Sequence, residues 1–138
     1  MAEKTFDIVV LGGGPGGYTA AIRAAQLGFS TGIIEAEKLG GVCLNWGCIP
    51  TKALLKNAEI LQQFKKAAEW GISYDNLNFD FSKIIQRSRG ISDKISKGVE
   101  FLMKKNKIDY VAGYGILQGN GVIEVKPKEG AVFKVSAK

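Results

Sequence analysis

An α/β fold is what this sequence predicts: a Rossmann-like parallel sheet with helices on both faces, followed by a three-stranded antiparallel β-meander. Three observations carry the prediction. A β-branched apolar run, Phe6–Leu11 (FDIVVL), ends on the glycine cluster GGGPGG at residues 12–17. An alanine-rich helical stretch then leads to a second short apolar run, Thr31–Glu35, which is the rhythm of a parallel strand–helix–strand unit. The end of the chain alternates short strands with glycine turns.

Each element has a local reason. The continuous apolar run of Phe6–Leu11 reads as one buried parallel strand. Ala20, Ala21, Ala24, Ala25 and Leu27 favour a helix, and Gly28 suits its C′ position. Thr31–Glu35 completes a βαβ unit over 6–35. Residues 41–69 read as helix with a break near Pro50, which disfavours the α conformation at Ile49 but suits the first turn of a new helix; Trp70-Gly71 ends it. Residues 72–79 are loop-like. A long amphipathic helix follows over about 80–105, with Phe81, Ile84, Ile85, Ile91, Ile95, Val99 and Leu102 at helical spacing as its apolar face. Ile108–Val111 is a third short strand. The meander over about 114–136 comprises Tyr114–Leu117, Val122–Val125 and Ala131–Val135, with turns at Gly119-Asn120-Gly121 and Lys126–Gly130.

The 138 residues suffice for one domain with a hydrophobic core, and 46% hydrophobic with 23% charged residues is an ordinary globular balance. No apolar run approaches the roughly 18 residues that span a bilayer. The first residues are not a basic leader segment, so the chain reads as cytoplasmic, or as a mitochondrial-matrix protein after removal of a leader. Net charge is +6, and residues 1–60 are balanced, with five basic and five acidic side chains. The excess concentrates in 83–107, where eight basic residues face only Asp93 and Glu100. Phe101 is the single aromatic residue among them, short of the series a base-stacking platform requires, so they read as the solvated face of the long helix and not as a nucleic-acid surface. The chain has no histidine, which removes the commonest zinc ligand and general base.

Gly12, Gly14 and Gly17 match the G-x-G-x-x-G dinucleotide fingerprint. Gly12 permits the turn off the strand, Gly14 lets backbone approach a pyrophosphate, and Gly17 lets the helix pack close. The helix N-terminus offers free N–H groups to phosphates. Glu35 ends the second strand 23 residues after Gly12, placed to accept hydrogen bonds from a ribose diol. FAD and NAD both fit such a site.

Cys43 and Cys48 are the only cysteines, with four residues between them. They do not supply the three or four ligands of a metal site, and a staple closing so short a loop removes little chain entropy. In a regular helix, residues five apart have Cα atoms about 8–9 Å apart, whereas a disulfide tolerates about 7 Å. Bonding the pair therefore requires a distorted turn, which Gly47 and Pro50 are placed to allow. Gly40-Gly41 puts Cys43 near a helix start, where the dipole lowers a thiol pKa. This favours a reversible dithiol/disulfide couple; two unpaired neighbouring thiols are the alternative.

The stretches FDIVVLGGGPGGYTAAIRAAQLG, GGVCLNWGCIPTKALL and GVEFLMKKNKIDYVAGYG resemble the flavin-dependent pyridine-nucleotide–disulfide oxidoreductase family, most closely the N-terminal part of its dihydrolipoamide dehydrogenase branch. Glutathione and mercuric reductases share the outline of the cysteine motif. The resemblance implies FAD as the cofactor, with the pyrophosphate on Gly12, Gly14, Pro15, Gly16 and Gly17 and the ribose on Glu35. It implies that Ala36, Glu37, Lys38, Gly40, Gly41, Val42, Cys43, Gly47, Cys48 and Lys52 line the flavin nucleotide, and that Gly115 contacts the adenine end through backbone. Cys43 would be the interchange thiol that meets dihydrolipoamide, and Cys48 the thiol beside the flavin. Electrons would pass from dihydrolipoamide through the disulfide and FAD to NAD⁺, the co-substrate.

In the family, partners are the dihydrolipoyl groups of 2-oxo acid dehydrogenase complexes or of glycine cleavage, and the full-length chain is a homodimer. Family members are several-fold longer, adding an NAD domain and a dimer-interface domain that supplies a histidine–glutamate base pair in trans. The chain is therefore expected to be an incomplete FAD domain, inactive alone and marginally stable. Alternatives are a catalytically silent flavin-binding module and a glutathione or mercuric reductase.

Overall fold

A computed structural model describes residues 4–138. Phe6–Leu11 is not one strand: it divides at Asp7 into β1 (Lys4–Phe6) and β2 (Ile8–Leu11), which enter different sheets. Asp7 is held from outside the run. Its carboxylate accepts from the Lys138 ammonium and from the Ser30 N–H, both at 2.9 Å, and its own N–H donates to Ser30. The Lys138 and Ser30 donors hold that carboxyl down to about 2.

The parallel sheet has the order β2-β3-β4, with β3 (Thr31–Glu35) in the centre and β4 (Asp109–Ala112) beside it. β2 is an edge strand and so is only half-buried, with Leu11 exposed, where the apolar run suggests full burial. Successive β3 residues face opposite layers. Ile33 joins Ala21, Leu39, Leu44, Val99, Met103 and Ile108. Ile34 joins Phe6, Val111, Ile123, Val125 and Val135. The first layer comprises α1 (Pro15–Gln26) and α4 (Phe81–Lys105), with α2 (Gly41–Asn45) and α3 (Cys48–Lys65) packed on α4.

The second layer is a sheet. β5 (Tyr114–Gly119), β6 (Val122–Lys126) and β7 (Phe133–Ala137) form the meander, and β1 joins it parallel to β7, giving the order β1-β7-β6-β5. The expected α/β class with a parallel sheet and an antiparallel meander is what the structure has. The difference is in the layers: the chain leaves β4 through a bend at Gly113 straight into the meander and not through a crossover helix, so β-structure covers the second face in place of helices. The hairpin turn is Asn120-Gly121, both left-handed at φ 49° and 72°, as a type I′ turn requires.

The break in the 41–69 segment falls at Trp46-Gly47, before Pro50. Gly47, at φ −119° and ψ −106°, turns the chain, and Pro50 sits in the first turn of α3, where no N–H is needed; Ile49 stays helical. α3 ends at Lys65, and a 3-10 turn over Ala67–Trp70 leads to left-handed Gly71.

α4 begins where Asp80 accepts from the Lys83 N–H at 3.1 Å. Its buried face is Ser88, Ser92, Ser96, Val99 and Met103, while Phe81, Ile85, Ile95 and Leu102 of the expected face are exposed. Small serines let the helix approach the backbone of the cysteine-bearing segment: Ser88 Oγ donates to the Pro50 carbonyl at 3.1 Å and Ser96 Oγ to the Leu39 carbonyl at 2.7 Å. Among the described residues no helix is long and apolar enough to cross a membrane.

Candidate functional site

The glycine turn leaves β2 at Gly12, whose φ of 101° favours glycine, and whose N–H donates to the Ile34 carbonyl at 2.8 Å. A Cβ on Gly17 would overlap the Gly12 carbonyl oxygen, so only glycine lets α1 start this close to the strand. Fully buried Ala21 continues that contact one turn on. Gly14 is the N-cap of α1 and brings no capping side chain; Pro15 at N1 has no N–H, so Gly16 and Gly17 present the free donors. A Cβ on Gly14 or Gly16 would meet nothing within 4 Å. An open approach, uncapped donors and the positive end of a 12-residue helix form a cradle that suits a diphosphate.

Gly13, the unassigned residue of the fingerprint, is the joint of the site. Its N–H donates to Glu35 Oε2 at 2.7 Å, and its carbonyl accepts from the Gly40 N–H at 2.8 Å. Glu35 Oε1 accepts from the Glu37 N–H at 2.7 Å. Each carboxylate oxygen keeps a free lone pair for a ribose hydroxyl. Gly41 packs against Gly14: a Cβ there would come within 2.8 Å of the Gly14 Cα. The turn, Glu35 and the start of the cysteine-bearing segment therefore converge. Ala36 is half-buried beside them, and Glu37 is exposed. Lys38 is exposed too, and its ammonium faces Asp93 of α4 at 3.8 Å. Gly115 of β5 lies against the end of β2, where a Cβ would strike the Leu11 side chain and reach Ile34 Cγ2 at 3.3 Å.

Cys43, in α2, is half-buried, and Cys48, at the first position of α3, is exposed; both are free thiols. The turn at Trp46-Gly47 sets them close enough for Cys48 to perturb the ionisation of Cys43. Gly47 makes this possible, since a Cβ there would press on the Val42 carbonyl at 3.1 Å and on the Cys43 Cα at 3.5 Å. The expected lowering of the Cys43 pKa does not hold. The Cys48 thiol, followed by burial, pushes Cys43 up, and the Cys48 backbone N–H and then the Lys52 charge offset this only in part. Val42 is exposed beside Cys43, and Lys52 lies one turn after Cys48 on the exposed face of α3.

Asn45, Arg89 and the α4 serines escape a reading of motifs because they act on backbone. Asn45 Nδ2 donates to the Leu39 and Gly41 carbonyls at 3.1 and 3.0 Å, which fixes its amide orientation, and Arg89 Nη1 donates to the Asn45 carbonyl at 3.1 Å. Asn45 Oδ1 and Ser92 Oγ are buried without a protein partner. Two apolar hollows of about 460 and 310 Å³ lie along α3 between Leu54 and Ile72 and near Phe79 and Phe81, away from the thiols and the glycine turn. No group of three or more His, Cys, Asp or Glu side chains among the described residues could hold a metal ion.

Residues 6–137 match the family model described as pyridine nucleotide-disulphide oxidoreductase. A dihydrolipoyl dehydrogenase of Zymomonas mobilis is 47% identical over 138 residues, all of this chain and 29% of the relative. The dihydrolipoyl dehydrogenase of Mycobacterium tuberculosis is 51% identical over 132 residues, 95% of this chain and 28% of the relative. That of Bacillus subtilis is 48% identical over 122 residues, 88% of this chain and 26% of the relative. The chain thus spans between a quarter and a third of the length of these relatives. With the glycine cradle and the paired thiols in one connected site, and with the match running almost end to end, the chain belongs to the pyridine nucleotide-disulphide oxidoreductase family.

Proposed function

We propose that this chain is the FAD- and disulfide-bearing part of a dihydrolipoyl dehydrogenase, which oxidises dihydrolipoamide and reduces NAD⁺. The observation that carries the reading is the thiol pair set on a segment that is itself hydrogen-bonded to the glycine turn through Gly40 and Gly13. Gly16 and Gly17 would donate to the diphosphate, Glu35 would accept from the ribose, and Gly115 would face the adenine end. Residues 36–43, Gly47, Cys48 and Lys52 would border the flavin. FAD, when bound, supplies a two-electron relay between the thiols and NAD⁺.

The chain's own part is thiol–disulfide exchange. With Cys43 and Cys48 oxidised, a dihydrolipoamide thiolate attacks the Cys43 sulfur and the Cys48 sulfur leaves as thiolate. The second substrate thiol then attacks the mixed disulfide, releasing lipoamide and the Cys43 thiol. Two electrons and two protons leave the substrate. No histidine is available in these residues to take the first proton. The base would come from elsewhere in the assembly, where dihydrolipoyl groups of a 2-oxo acid dehydrogenase complex would be the partner.

Gly14→Val tests the cofactor assignment. Its Cβ would meet no protein atom within 4 Å, so the variant should fold as the parent does and lose flavin solely by blocking the diphosphate. Parent-level FAD, read by absorbance after reconstitution and desalting, would refute the assignment.

A further inference from the structure

We propose that Arg89 is a positioning residue for the thiol pair: by holding the Asn45 carbonyl it fixes the turn between Cys43 and Cys48 and favours the disulfide over the dithiol. The inference rests on the proposed reading of the pair as a redox couple, and it concerns a residue on a helix that carries no part of the cysteine motif.

Asn45 ends α2, so its carbonyl lies in the last turn, where helix carbonyls lack internal donors. Arg89 Nη1 supplies one at 3.1 Å. The Asn45 side chain, 4% exposed, is already tied to the Leu39 and Gly41 carbonyls. With its side chain and carbonyl both held, Asn45 anchors α2 at both ends. Only Trp46 and Gly47 then separate a fixed residue from the first turn of α3, which Ser88 holds at the Pro50 carbonyl. The two sulfurs are thus kept within reach of one another, and closing the bond costs little further chain freedom. Without Arg89, the reduced turn gains freedom and the disulfide is disfavoured.

The same helix carries an internal control. Arg87 Nη1 donates to the Ala53 carbonyl at 3.2 Å, a bond of the same kind from the same residue type. It lies beyond Cys48, in the body of α3, at a carbonyl that Asn57 Nδ2 also engages at 3.1 Å. If the arginines only glue α4 to its neighbours, the two should behave alike.

The experiment equilibrates the chain with reduced and oxidised glutathione. Oxidation of the pair forms the Cys43–Cys48 bond and converts one glutathione disulfide into two glutathione thiols, so electrons and protons balance. Acid quenching, alkylation and mass measurement give the dithiol/disulfide ratio without any flavin. Arg89→Leu is expected to lower the equilibrium constant for oxidation about fivefold, the scale of one charge-assisted hydrogen bond partly exposed to water. Arg87→Leu is expected to stay within about twofold of the parent. If Arg89→Leu does not fold, Arg89→Gln takes its place with the same expectation. A parent-like constant in the Arg89 variant, or an equal shift in Arg87→Leu, overturns the proposal and leaves the redox reading intact. A parent chain that forms no Cys43–Cys48 bond at any glutathione ratio overturns both.

Discussion

Replacing Gly17 by alanine places one methyl group where the turn and α1 are closest. The new Cβ would overlap the Gly12 carbonyl oxygen and lie 3.0 Å from the carbonyl carbon, against an ordinary separation of about 3.5–4 Å. The obstacle is backbone, fixed by the Gly12 N–H bond to Ile34, so no side chain can swing away. Overpacking in such a place costs about 3 kcal/mol, the upper end of the usual range. Gly16→Ala, one residue earlier in the same helix, meets nothing within 4 Å and should gain about 0.5–1 kcal/mol from helix propensity and reduced unfolded-state freedom. The two alanine variants should therefore differ by about 3.5–4 kcal/mol, or by more than 10 °C in Tm for a domain of this size. Urea denaturation followed by circular dichroism at 222 nm measures the difference, with Gly17→Ala made in the Gly16→Ala background if it does not fold alone. Two variants equal within about 0.5 kcal/mol would refute the argument that Gly17 exists for close packing.

Two further predictions concern the same region. Cys48→Ala removes the first cause of the raised Cys43 pKa, so Cys43 should ionise at lower pH and its iodoacetamide alkylation at pH 8 should speed up; an unchanged pH profile would refute the assignment of cause. Ser96→Ala removes a 2.7 Å bond to a buried carbonyl and should cost about 1 kcal/mol, whereas Ser92→Ala removes a buried hydroxyl without a protein partner and should be neutral or slightly stabilising. Equal losses in paired urea titrations would contradict this.

Glycines made the turn after β2 legible, because few residue types survive where backbone meets backbone: Gly12 and Gly17 could be placed from spacing alone. The Asn120-Gly121 turn was legible for the same kind of local reason. The split at Asp7 was not, because what holds it, Lys138, lies at the far end of the chain. The α4 face was misread because periodicity counts apolar residues, whereas a helix resting on carbonyls selects small hydroxyls such as Ser88 and Ser96. The break between the cysteines was drawn to Pro50, the strongest local punctuation. Its true place is set by the crowding of Gly47 against Val42 and Cys43, a contact made only after the chain has turned. The direction of the Cys43 shift failed similarly: a helix-start argument does not include a second thiol brought alongside.

The pairing of β1 with β7 has a consequence for biosynthesis. Lys4 is opposite Val135 and Phe6 opposite Ala137, so a ribosome must deliver β7 before β1 has its neighbour. Until then Phe6 waits without its sheet partner, while the nearer βαβ contacts can already close. β1 is thus among the last of these strands to settle, and a nascent chain leaves that hydrophobic segment open to chaperones until β7 has emerged.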